Sequence, residues 1–398
     1  MMAGNNVMLS GPAGAGKSYL LNEFINKARH HKKNVVVTAT TGLAAAQLGG
    51  QTLHSWSGIG LGKHLSRDYI YTISDARKKS IRKTSVLIID EVSMMNDYTL
   101  DMVNQAMKII RENDEPMGGI QVILCGDFFQ LPPVEQGGKG KFIIGTKAWE
   151  EINPKACYLE EQHRTEDLRL QEILNAMRAG DMRQKHLKWL LSRMRLTPEE
   201  EVTRLYTLNK DVDKLNEEEL AKVSGDSHYY LRTSKGKWES IQNLQRNVLA
   251  PEVLELKLGA MVMAVKNNPE GHYHNGSIGH VIAFTDDGLP IVQFKNPIVV
   301  YPDEWELKNG DRTTASITQV PLRLAYAITV HKSQGMTLDA AEVDLSKAFV
   351  EGMGYVALSR VKNLNNLYLR GINKRALMVS REAQRIDKEL KDKSRSII

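Results

Sequence analysis

The chain has 398 residues, 42% of them hydrophobic and 25% charged, which is enough apolar material for two or three domains with proper cores. No apolar run approaches the roughly 20 residues of a membrane-spanning helix, and no basic segment followed by a hydrophobic stretch opens the chain, so secretion and membrane anchoring drop out and a cytoplasmic protein is expected. A net charge of +6 with a pI near 9.0 suits a polyanionic partner, and the two cysteines, Cys125 and Cys157, have neither disulfide-framework nor zinc-ligand spacing.

Four short apolar runs, NVMLSG, NVVVTAT, SVLIIDE and QVILCGD, alternate with helix-compatible stretches such as Tyr19 to His31 and Tyr98 to Arg111. That rhythm predicts a parallel sheet with crossover helices, whose ligands gather beyond the carboxyl ends of the strands. The stretch from Ser57 to Ser80 breaks the rhythm and reads as an insertion. After Glu160 the pattern restarts with RLYTLN and returns with AEVDL and NLYLRG, predicting a second α/β unit. Between Leu258 and Leu307, short alternating runs punctuated by NNPEG, TDDG and KNP predict a small inserted β-barrel. LAYAITVHKSQGMTL and GYVALSRV each read as a helix, the first stopped by Gly335. The tail, REAQRIDKELKDKSRSII, reads as a charged, solvated helix.

GPAGAGKS, Gly11 to Ser18, fits G-x-x-x-x-G-K-[ST] between a predicted strand and a predicted helix. Nucleotide contacts are expected from Gly11, Ala13, Gly14, Ala15, Gly16, Lys17, Ser18 and Tyr19, because glycines let backbone N–H groups close around phosphates at the positive end of a helix. Lys17 would reach the β- and γ-phosphates and Ser18 a Mg²⁺ ion. Asp90 and Glu91, adjacent at the end of a buried strand, suit two jobs: Asp90 holds the hydrated metal and Glu91 polarises the attacking water. Gln130 in GDFFQLPPV stands where an amide can sense the γ-phosphate. Arg360, in an apolar segment, is either a structural ion-pair partner or the charge that stabilises phosphoryl transfer, and Arg164 in EEQHRTED is a second candidate. His331, and His272 with His274, lack a third ligand at suitable spacing, which leaves Mg²⁺ as the expected ion. Trp56 either stacks a base or packs in the core.

The set GPAGAGKS, TATTGLAAAQLGGQTLHSW, LIIDEVSMM, GGIQVILCGDFFQLPPV, EEQHRT, AYAITVHKSQGMTLDAAEVDL and GYVALSRV resembles, in order and spacing, the helicase motifs of superfamily one. The resemblance is closest to the Pif-one (petite integration frequency) family, whose own signature DYTLDMVNQAMKIIRENDEPMGG resembles, and it covers nearly the whole chain. It implies an α/β fold of two RecA-like P-loop domains with an ATP site in the cleft between them, and 5′→3′ unwinding of duplex DNA. On it, the first domain would span 1–160 with a wedge insertion at about 57–80, and the second 161–398 with an SH3-like insertion at about 256–318. Gly335 joins Gln130, Arg164 and Arg360 among the implied nucleotide contacts, and Thr52, His54, Pro133, His331, Lys332, Gln334 and Thr337 would line the path of single-stranded DNA. The implied partners are single-stranded DNA and single-to-double-strand junctions, with a monomer in solution that can pair on DNA. The family's adenine-reading glutamine motif has no counterpart in the six residues before Val7, so either the start is truncated or several nucleotides are accepted. A P-loop kinase and a nucleotide-dependent nucleic-acid binder without unwinding activity are the competing readings.

Overall fold

The computed structural model describes residues 1–396 except 61, 136, 137, 164, 166, 200, 246, 247, 269, 274, 275, 310 and 311. Packing divides the chain into two units, Met1–His186 with Val350–Ser359 and Lys374–Ile398, and Leu187–Phe349 with Arg360–Asn373. The boundary expected at 160 therefore falls inside the first unit, which also takes in two segments from the far end of the chain.

In the first unit the four apolar runs become β1 (Val7–Ser10), β2 (Val35–Ala39), β4 (Val86–Asp90) and β5 (Gln121–Gly126), with a short β3 (Gln51–Thr52) between β2 and β4. A separate hairpin, β6 (Val134–Glu135) and β7 (Gly138–Lys139), precedes β8 (Lys155–Tyr158). The sheet runs β3-β2-β4-β5-β1-β8 and every pairing in it is parallel. Near-continuous β-branched runs are what a strand covered on both faces requires, and Leu87, Ile88 and Ile89 are fully buried. The helix Lys17–His30 closes one face with Leu21, Phe24, Ile25 and Ala28, the i, i+3, i+4, i+7 stripe of an amphipathic helix, set against Leu9, Ile88 and Ile123. Of these, Leu21, Phe24 and Ile25 each contribute on the order of 2 kcal/mol by burial.

The tail departs from the solvated helix expected of it. Helix Arg381–Arg395 buries Ala383, Ile386, Leu390 and Ser394, and Ser394 Oγ accepts a hydrogen bond from the Tyr158 N–H at 3.0 Å. It thus covers the outer edge of β8, a place where unpaired backbone groups would otherwise invite another strand. Glu160 pairs with Lys391 and Arg395 at the same edge. In the stretch from Ser57 to Ser80, the helices Tyr69–Thr72 and Asp75–Lys83 replace the sheet rhythm. Trp56 is only 3% exposed, so it packs in the core and offers no face to a base.

The second unit holds a parallel sheet in the order Ala327–Thr329, Thr203–Tyr206, Ala341–Leu345, Leu367–Ile372. The helix expected over LAYAITVHKSQGMTL is absent. Leu322–Leu324 and Ala327–Thr329 are strands, and turns follow to Gly335. Ile328, Thr329 and Val330 are β-branched, and parallel pairing with Arg204–Tyr206 outweighs the helical spacing of the apolar positions. The inserted β-structure is antiparallel, as the alternating runs require. One sheet joins Pro297–Val299, Pro290–Gln293, Ile278–Phe284, Met261–Ala264 and Leu322–Leu324, and another joins Thr233–Gly236, Arg312–Gln319 and Asp303–Asn309. With His228–Leu231 paired to Val253–Leu256, this β-structure starts well before residue 256. Among the described residues no helix is long and apolar enough to cross a membrane.

Candidate nucleotide-binding and hydrolysis site

The loop after β1 is built by close backbone approach. A Cβ on Gly11 would sit 2.5 Å from the Leu159 carbonyl oxygen, so only glycine lets the chain pass there. The His163 N–H donates to the Gly14 carbonyl at 2.9 Å, docking the segment after β8 along the loop. Lys17 Nζ donates to the carbonyls of Gly11 at 2.8 Å and Pro12 at 3.0 Å. The helix that follows has no acidic residue in its first turn, so the positive end of its dipole is uncompensated there. Ser18 opens this helix beside Lys17, and Tyr19 is 73% exposed.

Asp90 ends β4 in a buried position. Its Oδ1 accepts the Glu91 N–H at 2.8 Å. Burial pushes the Asp90 carboxyl above its ordinary range, opposed by hydrogen bonds from the Cys125 thiol and the Glu91 amide and by the Lys17 charge. The Lys17 ammonium and the Asp90 carboxylate therefore act on one another. Glu91 itself takes the left-handed backbone region, φ 54° and ψ 41°, a conformation that costs a non-glycine residue about 1–2 kcal/mol. Two bonds from Thr40 hold it, Oγ1 to the Glu91 carbonyl at 2.9 Å and N–H to the Asp90 carbonyl at 3.3 Å. Gln130 is 6% exposed, its N–H donates to the Asp127 carbonyl at 3.0 Å, and its Oε1 has no hydrogen-bond partner among the described residues. Leaving a buried amide oxygen unmatched costs about 1–3 kcal/mol, which favours any arriving donor.

Lys17, Ser18, Asp90, Glu91 and Gln130 thus follow the carboxyl ends of β1, β4 and β5, three neighbours in the sheet. The Ser18 hydroxyl and the Asp90 carboxylate are hard oxygen donors, the set Mg²⁺ takes while it keeps several waters. Among the described residues no group of three or more His, Cys, Asp or Glu side chains could hold a metal ion.

The remaining candidates are more dispersed. Arg164 and His274 lie outside the described residues. In the second unit Arg360 is 1% exposed, and its Nη1 donates to the carbonyls of Ser333 and Met336, both at 3.2 Å. Those carbonyls belong to the turn that carries His331, Lys332, Gln334, Gly335 and Thr337, so Arg360 braces the turn from within. Gly335 has φ 80° and lies in that turn rather than at the end of a helix. His331 stacks on Phe349 at 6.2 Å between ring centroids, and Thr337 is exposed. Burial, then the charge of Arg323, lowers the Lys332 pKa. In the first unit Thr52 caps the helix Leu53–Ser57, its side chain accepting the Ser55 N–H at 3.2 Å; His54 is half-buried and Pro133 buried.

Burial lowers the pKa of both His54 and His331 from 6.5. The unfolded chain therefore takes up these two protons first as pH falls, so the stability they contribute is intact above about pH 6.5 and is lost below it. A His54→Asn, His331→Asn double variant should show a smaller drop in melting temperature between pH 7.5 and 5.5 than the parent. Equal drops in the two proteins would count against this.

Sequence reasoning passed over Thr40, Cys125, Asp127, Arg178 and Tyr355. Tyr355 was within reach, being in the same motif as Arg360 and five residues before it. Cys125 reaches Asp90 only because β4 and β5 pair side by side.

A family model for the PIF1-like helicase matches residues 1–196. An ATP-dependent DNA helicase Pif1 from Psychrobacter sp. (strain PRwf-1) is 38% identical over 99% of this chain and 70% of its own length. The chain spans 59% and 60% of the relatives from Xenopus laevis and Emericella nidulans. Among solved structures, Pif1 helicase from Candida albicans matches with a TM-score of 0.84 and 34% identity, covering 98% of this chain and 96% of that one. Bacteroides Pif1 bound to ssDNA matches with a TM-score of 0.73 and 30% identity, covering 98% and 94%.

Proposed function

Because this chain belongs to the PIF1-like helicase family, we propose that it is an ATP-dependent DNA helicase that moves 5′→3′ on single-stranded DNA and separates duplex strands. What supports the reading most is the convergence of Lys17, Asp90, Glu91 and Gln130 at the carboxyl ends of three adjacent parallel strands. Lys17 exchanges the Gly11 and Pro12 carbonyls for phosphate oxygens, a gain because ammonium–phosphate bonds are charge-assisted on both sides. Glu91, its backbone set by Thr40, polarises the attacking water, and Gln130 turns its amide toward the γ-phosphate. Ser18 and Asp90 would hold Mg²⁺, which would neutralise charge on the β- and γ-phosphates. Arg360 supplies positive charge to the transferring phosphoryl group, with Arg164 as a second source.

Thr52, His54, Pro133, His331, Lys332, Gln334 and Thr337 contact single-stranded DNA. His54 and His331 stay neutral at neutral pH and contribute stacking and hydrogen bonds, whereas Lys332 contributes charge. Nucleotide binding and release alternate the grip of these groups on the strand. Reversing a two-state grip from 1:99 to 99:1 takes about 5.5 kcal/mol of differential binding, within reach of a triphosphate.

The test is hydrolysis of ATP, GTP and CTP with and without single-stranded DNA, run beside strand separation on a 5′-tailed duplex. DNA-stimulated hydrolysis and separation are expected. Hydrolysis that is fast without DNA would favour a phosphotransferase, and DNA binding without nucleotide-dependent separation a passive binder. In the same series Lys332→Ala should weaken single-strand binding and reduce its logarithmic salt slope by about 0.7, the share of one phosphate contact. An unchanged slope would place Lys332 off the DNA.

A further inference from the structure

Behind the phosphate loop lies a buried group of side chains that the hydrolytic scheme does not use. Asp127, just past β5, divides its carboxylate: Oδ1 accepts from the Phe129 N–H at 3.2 Å and from Arg178 Nη1 at 2.9 Å, and Oδ2 accepts from the Tyr355 hydroxyl at 3.1 Å. The Tyr355 oxygen also accepts from the Ala13 N–H at 3.1 Å and from Arg178 Nη1 at 3.0 Å. Arg178 Nη2 donates to the Tyr158 hydroxyl at 2.8 Å and to Asp387 Oδ1 at 2.6 Å, and Tyr158 donates to the same Asp387 oxygen at 2.7 Å. The guanidinium lies over the Phe129 ring, 4.2 Å from its centroid.

The placement of these bonds matters more than their number. Ala13 is in the phosphate loop, and the Asp127 carbonyl holds the N–H of Gln130. The entry to the helix Met353–Leu358 runs against the same segment, since a Cβ on Gly352 would lie 2.7 Å from the Gln130 carbonyl oxygen and 2.8 Å from that of Phe129. One tyrosine oxygen therefore links the loop that cradles phosphates to the segment that presents the glutamine. Burial pushes the Tyr355 pKa up to about 12, so the hydroxyl keeps its proton and continues to donate to Asp127 at any working pH. Burial alone would lower the Arg178 pKa, but Asp127, Tyr355 and Asp387 outweigh it and keep the guanidinium charged. The group lies on the wall of a cleft of about 950 Å³ bordered by Pro12, Phe129, Tyr158, Arg178 and Asp387.

We propose that Arg178 and the Tyr355 hydroxyl are positioning residues for hydrolysis: acting through Ala13 and Asp127, they lock the phosphate loop and the Gln130 segment into one register, so that the glutamine amide meets the γ-phosphate only on a seated loop. This rests on the reading of Lys17 and Gln130 as phosphate ligands. A brace with no positional role would instead lower stability and activity together.

Tyr355→Phe in the full chain deletes one oxygen without changing shape. Measured well below the unfolding transition, it should lower kcat for DNA-stimulated ATP hydrolysis about tenfold, the scale of one buried hydrogen bond, while KM for ATP changes little and the melting temperature falls by no more than a few degrees, because the Ala13 N–H, Arg178 and Asp127 lose a buried partner. Because Tyr355 acts through Gln130, the Tyr355→Phe, Gln130→Ala double variant should be no slower than Gln130→Ala alone. Arg178→Lys keeps the charge but cannot span four acceptors with one nitrogen, and should lose at least as much kcat. Wild-type kcat in Tyr355→Phe, losses that multiply in the double variant, or a loss that tracks the melting temperature each overturn the proposal, whether or not Arg178→Lys folds. An unaltered chain with no DNA-stimulated hydrolysis would instead remove the helicase reading and this inference with it.

Discussion

Glu91→Gln should reduce single-turnover ATP hydrolysis by about 10²- to 10⁴-fold, the usual share of a positioned general base, and leave nucleotide affinity nearly unchanged. The substitution keeps size and hydrogen-bonding reach but removes the basic lone pair. The phosphate-binding contacts expected of the loop keep their own support, since Lys17 Nζ donates to the Gly11 and Pro12 carbonyls. The backbone should also hold its shape: the left-handed turn at residue 91 is secured by main-chain and Thr40 contacts. Equal hydrolysis rates in variant and parent, measured with enzyme in excess over ATP, would take Glu91 out of the chemistry. A matching loss of ADP affinity would make it a ligand rather than a base.

Arg360→Ala should lose about 10³- to 10⁵-fold in turnover, the range attributed to an arginine that meets the transferring phosphoryl group. Here the structure adds an expectation that sequence alone does not contain. Arg360 also ties down the carbonyls of Ser333 and Met336, so truncation leaves both without their charged donor and loosens the turn bearing His331, Lys332 and Thr337. Affinity for single-stranded DNA should therefore fall along with turnover, and melting temperature with both, whereas ADP affinity is retained. Arg360→Lys separates the two roles: a charge without the planar fork supports the chemistry in part and the turn hardly at all. Unchanged hydrolysis in Arg360→Ala would exclude it from the mechanism.

Much of the candidate nucleotide site is legible in one dimension because its parts are covalent neighbours or stand at strand ends. Gly11 to Ser18 is a single turn entering a single helix, Asp90 and Glu91 are adjacent, and the apolar runs before them mark buried parallel strands by composition alone. The β-branched run around Ile328 misleads because its apolar spacing also fits a helix, and only a partner strand at Thr203–Tyr206 tips the balance. The tail misleads in the opposite direction: Ala383, Ile386 and Leu390 are few among charges, and their use becomes visible only with the edge of β8 beneath them.

The amino-acid order thus determined the alternation of strands and helices and the family to which the chain belongs, and it marked out the glycine-rich loop, the acidic pair and the glutamine as candidates, since each depends on spacings of a few residues that the backbone imposes. Only the tertiary structure decided what stands behind them. Ala13 and Tyr355 are separated by 342 residues, Arg178 and Asp127 by 51, and Cys125 meets Asp90 across a strand pairing. Contacts of that kind leave no periodic trace in the chain, because they depend on which strands become neighbours and which loops close, and folding settles both through the burial of surfaces far apart in sequence.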